Sequence, residues 1–276
     1  MTDPRPVDVE AFKRFEREGW EHVALPYRDA FSSLTTQAIA PLLDAVSAGP
    51  GTRLLDVACG PGDAAAAATA RGARVTGVDF AAAMVAQASR LHPTIDFRTG
   101  DAESLPFADA TFDAVVVNFG MLHFADPERA IAEARRVLGP RGRLAFTVWA
   151  TPDRAIGFAM VLDAIQAHGR MDVPLPEGPP FFRFADPAES RRTLIAAGFP
   201  HPEVRELPLR WRLPSADALV DAFWEGGVRT RGMLRAQTPA ALMAIREATA
   251  AAAARHGHVG GVEFPMPAVM SAAERG

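Results

Sequence analysis

The sequence predicts an α/β fold, a doubly wound, mostly parallel seven-stranded sheet with helices on both faces. Three observations carry this. Short apolar runs alternate with longer helix-forming stretches from residue 53 onwards, the order that builds a parallel sheet from crossover units. The run Arg53-Leu54-Leu55-Asp56-Val57 passes directly into the small-residue loop Ala58-Cys59-Gly60-Pro61-Gly62-Asp63 and an alanine-rich stretch over 64–70. That is a strand, a tight turn and a helix start. The next run, Arg74-Val75-Thr76-Gly77-Val78-Asp79, is a second strand ending in a carboxylate.

The same patterning predicts strands near 53–57, 74–78, 95–98, 113–118, 143–149, 203–211 and 261–270. Helices are expected over 63–71, 81–91, 127–137, 154–168, 187–197, 215–226 and 239–255. Ahead of the first strand, residues 9–48 read as helical and hold Phe12, Phe15, Trp20, Tyr27, Phe31 and Leu34. This aromatic-rich segment is expected to form a lid. Two stretches fall outside a minimal fold, 171–185 and 211–260. The first is dense in Pro174, Pro176, Pro179, Pro180, Phe181, Phe182 and Phe184, and a loop of that length is functional or disordered. No internal repeat and no second domain is visible. One domain over 1–276 is expected, with the lid at 1–48, a core at 50–150, and cap insertions with the last two strands at 151–276.

Composition narrows the function. The chain has 276 residues, 49% of them hydrophobic, ample for one core, and a net charge of −4. Without a basic excess to neutralise phosphates, no nucleic-acid partner is expected. Cys59 is the only cysteine, so neither a disulfide within the chain nor a zinc cluster of Cys/His spacing is expected. The first ten residues lack a signal pattern, and no apolar run reaches the ~18 residues of a membrane span. A cytoplasmic protein is expected, with no membrane association. Lys13 is the only lysine, and the preference for arginine reads as coding bias.

The strand–loop–helix at 53–70 brings backbone amides close to a bound nucleoside, and Asp79 is placed to accept from ribose hydroxyls. The loop does not fit a dinucleotide. Asp63 stands where a third glycine would be needed, and Pro61 removes an amide donor from any pyrophosphate cradle. Asp56 would repel a diphosphate but organise a cationic amino acid. Adenosine joined to a zwitterion suits the loop better, and the missing third glycine opposes a nicotinamide-dependent oxidoreductase.

Further along come Gly100-Asp101-Ala102-Glu103-Ser104-Leu105-Pro106-Phe107, then Phe112-Asp113-Ala114-Val115-Val116-Val117, then Ala134-Arg135-Arg136-Val137-Leu138-Gly139-Pro140-Arg141-Gly142. With the 55–62 loop and Val78-Asp79, these five pieces in order resemble the class I S-adenosylmethionine-dependent methyltransferases, in particular a bacterial small-molecule branch related to quinone-ring methylases. The resemblance covers roughly residues 50–150 and departs at Ala58, where many members carry glycine. It implies a Rossmann-like methyltransferase fold with an antiparallel edge strand, the last two strands forming an edge pair. It also implies S-adenosyl-L-methionine as cofactor, released as S-adenosyl-L-homocysteine.

Residue roles follow from the same resemblance. Asp56, Ala58, Gly60 and Gly62 are expected around the methionine half, bounded by Asn118 and Phe119. Asp79 is expected on the ribose, Phe80 and Met84 against adenine, and Asp101 on the adenine amino group with the Ala102 amide facing a ring nitrogen. Tyr27 is expected to close over the cofactor carboxylate. His123 is the candidate general base, because imidazole titrates near working pH; His22 and Trp149 are further candidates near the pocket. No metal is expected, since no paired carboxylates have a metal-like spacing.

The expected activity is methyl transfer to oxygen or carbon of a small, partly aromatic molecule. An N-methyltransferase, or a cofactor-binding cyclase or non-methylating protein on the same scaffold, is the alternative. In-line displacement from a sulfonium depends mainly on alignment, and a base is needed only for a hydroxyl or carbon acceptor. The acceptor pocket is expected from Phe15, Trp20, the 174–184 loop, Trp149 and the segment 211–235. Aromatics rimmed by arginines favour a flat, weakly anionic acceptor. The chain is expected to act as a monomer or homodimer.

Overall fold

Apolar runs buried on both faces have one stable home, the interior of a parallel sheet covered by helices. Residues 8–276 are described by the computed structural model, so the expectations for residues 1–7 lie outside the described residues. Strands β1 (Arg53–Val57), β2 (Arg74–Asp79), β3 (Asp96–Thr99), β4 (Phe112–Asn118) and β5 (Leu138–Trp149) pair in parallel. Strands β6 (Glu203–Leu207) and β10 (Ala268–Glu274) complete a seven-stranded sheet of order β3-β2-β1-β4-β5-β10-β6. β10 is antiparallel to both neighbours, so the antiparallel strand lies at this end of the sheet, inserted beside the outermost β6. The order reverses at β1 and β4, and the carboxyl ends of these strands open the crevice where ligands bind in such sheets.

Some of the helices begin where the sequence supplies a side-chain cap. Helix α1 (Val9–Thr35) starts after Asp8, whose carboxylate accepts from the Ala11 amide. Short helix α2 (Ile39–Ala45) follows. Helices α3 (Asp63–Ala70) and α4 (Ala82–Leu91) start directly after β1 and β2, facing the crevice. Helices α5 (Pro127–Val137) and α7 (Pro187–Ala196) share one signature, an aspartate N-cap followed by proline in the first turn. Between them lies α6 (Ile156–His168). Beyond α7 come α8 (Ala218–Gly226), α9 (Val228–Arg235) and α10 (Pro239–Ala254).

Two of the expected strands are each broken in two. The expected strand 203–211 ends at Leu207; Pro208 has no N–H to extend the ladder, and β7 (Arg210–Leu213) enters a second sheet. The expected strand 261–270 becomes β9 (Gly261–Pro265) and β10, parted by Pro265-Met266-Pro267 for the same reason. With β8 (Gly257–His258), strands β7 and β9 form a small antiparallel sheet of order β7-β9-β8. Helix α9, not expected from the sequence, follows Gly226-Gly227, which separate it from α8. Strand β5 begins five residues earlier than expected, and a register shift against β4 accommodates the extra length.

The small sheet is tied to the lid and the helices by Trp211. Its side chain is fully buried, with ring centroids 4.8 Å from Phe31, 5.7 Å from Phe223 and 6.1 Å from Phe264. Trp211 was expected in the acceptor pocket; it lies in the core beneath it. Trp211→Ala should cost about 3–5 kcal/mol of unfolding free energy, and Trp211→Phe much less, measured by urea denaturation. An alanine variant of unchanged stability would mean that the small sheet does not depend on this contact.

Candidate active site

The β1–α3 loop turns sharply because three of its residues, Ala58, Gly60 and Gly62, adopt left-handed backbone. Gly60 has φ 51° and nothing occupies the space where a Cβ would stand, leaving an open cradle. Ala58 has φ 54°, as does no comfortable L-residue, and Phe119 after β4 has φ 56°. Single residues held there store about 1–2 kcal/mol of strain each, and such strain gathers at functional sites. The two strained residues meet through Gly120, where a Cβ would stand 2.6 Å from the Ala58 methyl. A hydrogen-bond relay pins Phe119: the Thr147 hydroxyl accepts from its amide at 3.0 Å and donates to Asn118 Oδ1 at 2.8 Å.

These loops surround a cavity of about 970 Å³, its mouth included. Asp56, Ala58, Gly60, Asp79, Phe80, Met84, Asp101, Ala102, Asn118, Phe119, Tyr27 and His123 all line it. Gly62 does not. It is the left-handed N-cap of α3, packed where a Cβ would meet the Phe97 ring at 2.8 Å, so its role is to let the helix start. His22 lies outside as well, exposed on α1 with its Nε2 2.7 Å from an Arg231 guanidinium nitrogen.

The two strand-end carboxylates are buried and differ in their partners. Asp79 accepts the Gly60 amide through one oxygen and the Ala81 amide through the other, each at 2.9 Å. It therefore ties the loop to the start of α4 while facing the cavity. Burial pushes its pKa up to about 6 against the pull of these amides. Asp56 is 1% exposed and no side chain meets its oxygens; only the Ala65 amide at the start of α3 pulls against its burial. Burial, with the nearby Asp79 and Asp63 charges, pushes Asp56 up to about 8. A buried carboxyl group lining a cavity with no side-chain partner is a site waiting for a cation or donor. Asp101 accepts from the Glu103 amide and from Lys13 Nζ, each at 2.9 Å.

Lys13, set aside in the sequence as coding bias, turns out to anchor α1 across the cavity. Its ammonium also meets Glu103 at 2.6 Å. Two further anchors on α1 carry no local sequence signal. Glu21 accepts the Ala82 and Ala83 amides at 2.5 and 2.9 Å, capping α4 from outside. Glu16, 1% exposed, lies 2.9 Å from His123 Nδ1. His123 does not cap α5, since Asp126 does that.

A second cavity of about 450 Å³ adjoins the first and shares Trp20, Tyr27, Phe119 and His123 with it. Its remaining walls are Phe31, Trp149, Phe158, Phe181, Phe223 and residues 226–230 at the start of α9. Trp149 stacks on Phe119 at 3.9 Å. The expected Trp20, Trp149 and 174–184 loop are thus present, the last through Phe181. Phe15 is absent and packs toward Gly232. Among the described residues, no group of three or more His, Cys, Asp or Glu side chains is placed to hold a metal, and no helix is long and apolar enough to cross a membrane.

Residues 55–146 match the family described as a methyltransferase domain. The core of this chain, about a third of its length, is therefore similar to a methyltransferase domain. A demethylmenaquinone methyltransferase of Renibacterium salmoninarum is 42% identical over 111 residues, 40% of this chain and 47% of the relative. The chain thus matches about half the length of such relatives. Among solved structures, phosphoethanolamine N-methyltransferase 2 of Haemonchus contortus shares the fold, with TM-score 0.58 and 17% identity over 99% of this chain and 61% of that one. The cyclase SpnF does so with TM-score 0.52 and 24% identity over 87% and 81%. Buried Asp56, the open cradle at Gly60 and the carboxylate at Asp79 fit the methyltransferase cofactor, a cationic amino acid joined to a ribose.

The buried carboxylates make stability pH-dependent in a defined direction. Both hold their protons more tightly in the folded protein than an unfolded carboxylate does. Without cofactor, stability should therefore fall as pH rises, from about 4 to 6 through Asp79 and on to about 8 through Asp56. Thermal unfolding at pH 5–9 should show this slope, and Asp56→Asn should flatten it above pH 6. Cofactor binding at pH 7 should release protons as Asp56 ionises beside a cation, measurable by calorimetry in buffers of different ionisation enthalpy. An unchanged slope in Asp56→Asn would remove Asp56 as its source.

Proposed function

We propose that this chain transfers the methyl group of S-adenosylmethionine to oxygen or carbon of a small, flat, partly aromatic acceptor. The observation that carries this reading is the meeting of two cavities at one wall. A cofactor-sized cavity with polar strand ends and an aromatic cavity share Trp20, Tyr27, Phe119 and His123. A methyl group at that junction would face an acceptor held among aromatic rings.

Each residue group has a part. Asp56 and the Gly60 cradle would hold the methionine half, Asp79 the ribose, and Asp101 with Ala102 the adenine. When bound, the cofactor supplies an electrophilic methyl on a sulfonium. The chain's contribution is alignment in a site from which the docked α1 excludes water. His123 would take the proton of a hydroxyl or acidic carbon at its Nε2 atom. Arg229 lines the acceptor cavity half-buried and spends one hydrogen bond on the Pro176 carbonyl. Its remaining donors favour an acceptor with an anionic or strongly accepting edge.

The similarity to a demethylmenaquinone methyltransferase supports a quinol-like ring as the acceptor class. A panel of naphthohydroquinones, phenols, amines and carboxylated aromatics with labelled S-adenosylmethionine tests this. Release of S-adenosylhomocysteine with the ring hydroxyl or carbon acceptors is expected. Release with amines alone would make the chain an N-methyltransferase. Cofactor binding without release on any member would favour a cyclase or a binding protein on this scaffold. His123→Ala should lower turnover by about 10²–10⁴ with cofactor affinity nearly constant, and raising the pH should partly restore it for a phenol. Normal turnover at neutral pH would mean that transfer proceeds by proximity alone.

A further inference from the structure

We infer that Glu16 is the positioning residue for His123, and that docking of helix α1 is what turns this imidazole into a proton acceptor. The inference rests on the reading of His123 as base and goes beyond it by locating the base's partner on the lid.

Glu16 occupies a place where a carboxylate is costly. Its side chain is 1% exposed on a helix face that otherwise buries Phe12, Val23, Ala24 and Phe31. A buried carboxylate is tolerated when donors satisfy it. Here the donors converge on one oxygen. Trp20 Nε1 donates to Glu16 Oε2 at 3.2 Å, and His123 Nδ1 stands 2.9 Å from the same atom. A carboxylate only accepts, so the hydrogen of the neutral imidazole resides on Nδ1. Nε2 then carries the lone pair, the atom a base uses. Trp20, edge-on to the imidazole at 4.8 Å, and Phe181, edge-on at 5.9 Å, hold the ring plane.

The chemistry balances with these groups alone. The acceptor's O–H or C–H bond breaks and its proton bonds to Nε2. The electron pair released forms the bond to the methyl carbon, and the S–CH₃ pair stays on sulfur. A sulfonium cation is consumed and an imidazolium forms, with Glu16 hydrogen-bonded to its far side; the proton then leaves to solvent.

Glu16 comes from an element that also closes the site. Lys13, Glu16, Trp20 and Tyr27 are spaced three, four and seven residues apart, one face of α1. Lys13 latches to Asp101 and Glu103, while Trp20 and Tyr27 wall both cavities. Glu21, next along, caps α4. Releasing α1 would therefore open the cofactor cavity and free the imidazole from its orienting carboxylate in one motion. The base is assembled only when the lid is shut.

The test has a readout that a packing role would not move. Long-range ¹⁵N–¹H correlation on histidine-labelled protein with S-adenosylhomocysteine should show His123 as the Nδ1–H tautomer. In Glu16→Gln the Nε2–H tautomer should gain population. Turnover with the acceptor found in the panel should fall about 10–100-fold, the scale for loss of a residue that orients an imidazole. Acceptor KM and cofactor affinity should hold, and Glu16→Asp should recover part of the rate. In a His123→Ala background, Glu16→Gln should cost nothing further. An Nε2–H tautomer in the unaltered protein would overturn the proposal. So would normal turnover in a folded Glu16→Gln protein when His123→Ala is impaired. If His123→Ala itself turns over normally, the base reading fails, and the tautomer measurement alone still decides what Glu16 does to the ring.

Discussion

A carboxyl group buried with no side chain to meet it keeps its proton rather than carry a charge, and Asp56 near the end of β1 does so up to about pH 8. It sits under the loop, one strand away from Asp79, whose own charge pushes the same way. The core gains nothing from such a pair. The proposed cofactor would bring positive charge and hydroxyl donors to the carboxyl ends of β1 and β2, where this pair stands. The surrounding features would suit that ligand. Left-handed Ala58 and Gly60 open the space beside Asp56, Asp79 fixes the loop to α4, and the Asn118–Thr147 pair holds Phe119 against its preferred backbone. Binding of the cofactor should therefore stabilise the fold more than contact area alone would account for.

A charged cavity of this kind must also be shut off from water if its interactions are to be strong. As the proposed lid, helix α1 would do this with polar side chains at an otherwise apolar interface. Lys13, Glu16 and Glu21 each reach a partner on a different part of the core: the loop after β3, the turn after β4, and the first turn of α4. Partly buried polar contacts of this number fix orientation better than an apolar face would, because each demands a particular geometry. They also make undocking less costly than exposing a purely hydrophobic helix, since water can replace each partner. A lid held by satisfied polar anchors can open and still close in one register.

Much of the fold was legible because it is written in contiguous residues. The loop 55–63, the strand-end Asp79 and the 100–107 turn are local patterns, and the structure gathers them at one cavity mouth. Gly62 shows the limit of that reading. Its spacing suits ligand contact, but its left-handed φ of 86° serves the start of α3 and the packing of Phe97. The expected strands 203–211 and 261–270 ran straight through Pro208 and through Pro265 and Pro267, whose missing donors break them and whose change of sheet no local pattern encodes. The α1 anchors were not legible at all. Glu16 meets His123 across 107 residues and Lys13 meets Asp101 across 88, and no periodicity encodes a contact of that separation. A single lysine in an arginine-rich chain looked like codon usage until the fold put two carboxylates beside it.

The match to known methyltransferases ends where the acceptor cavity begins. It spans residues 55–146, the segment that holds Asp56, Asp79, Asp101, Phe119 and His123. Trp20, Tyr27 and Phe31 come before it, and Trp149, Phe158, Phe181, Phe223 and Arg229 after it. If the two cavities hold cofactor and acceptor as proposed, their walls are separable parts of the chain, built by different elements and joined at Phe119 and His123. The parts can change independently, so long as each new cap delivers its aromatic surface to that junction. What the matched segment shares with its relatives is a way of holding a methyl donor. On the function proposed, the acceptor would be chosen by α1, the 171–185 loop and the start of α9, which bring Trp20, Phe181 and Arg229 to the second cavity.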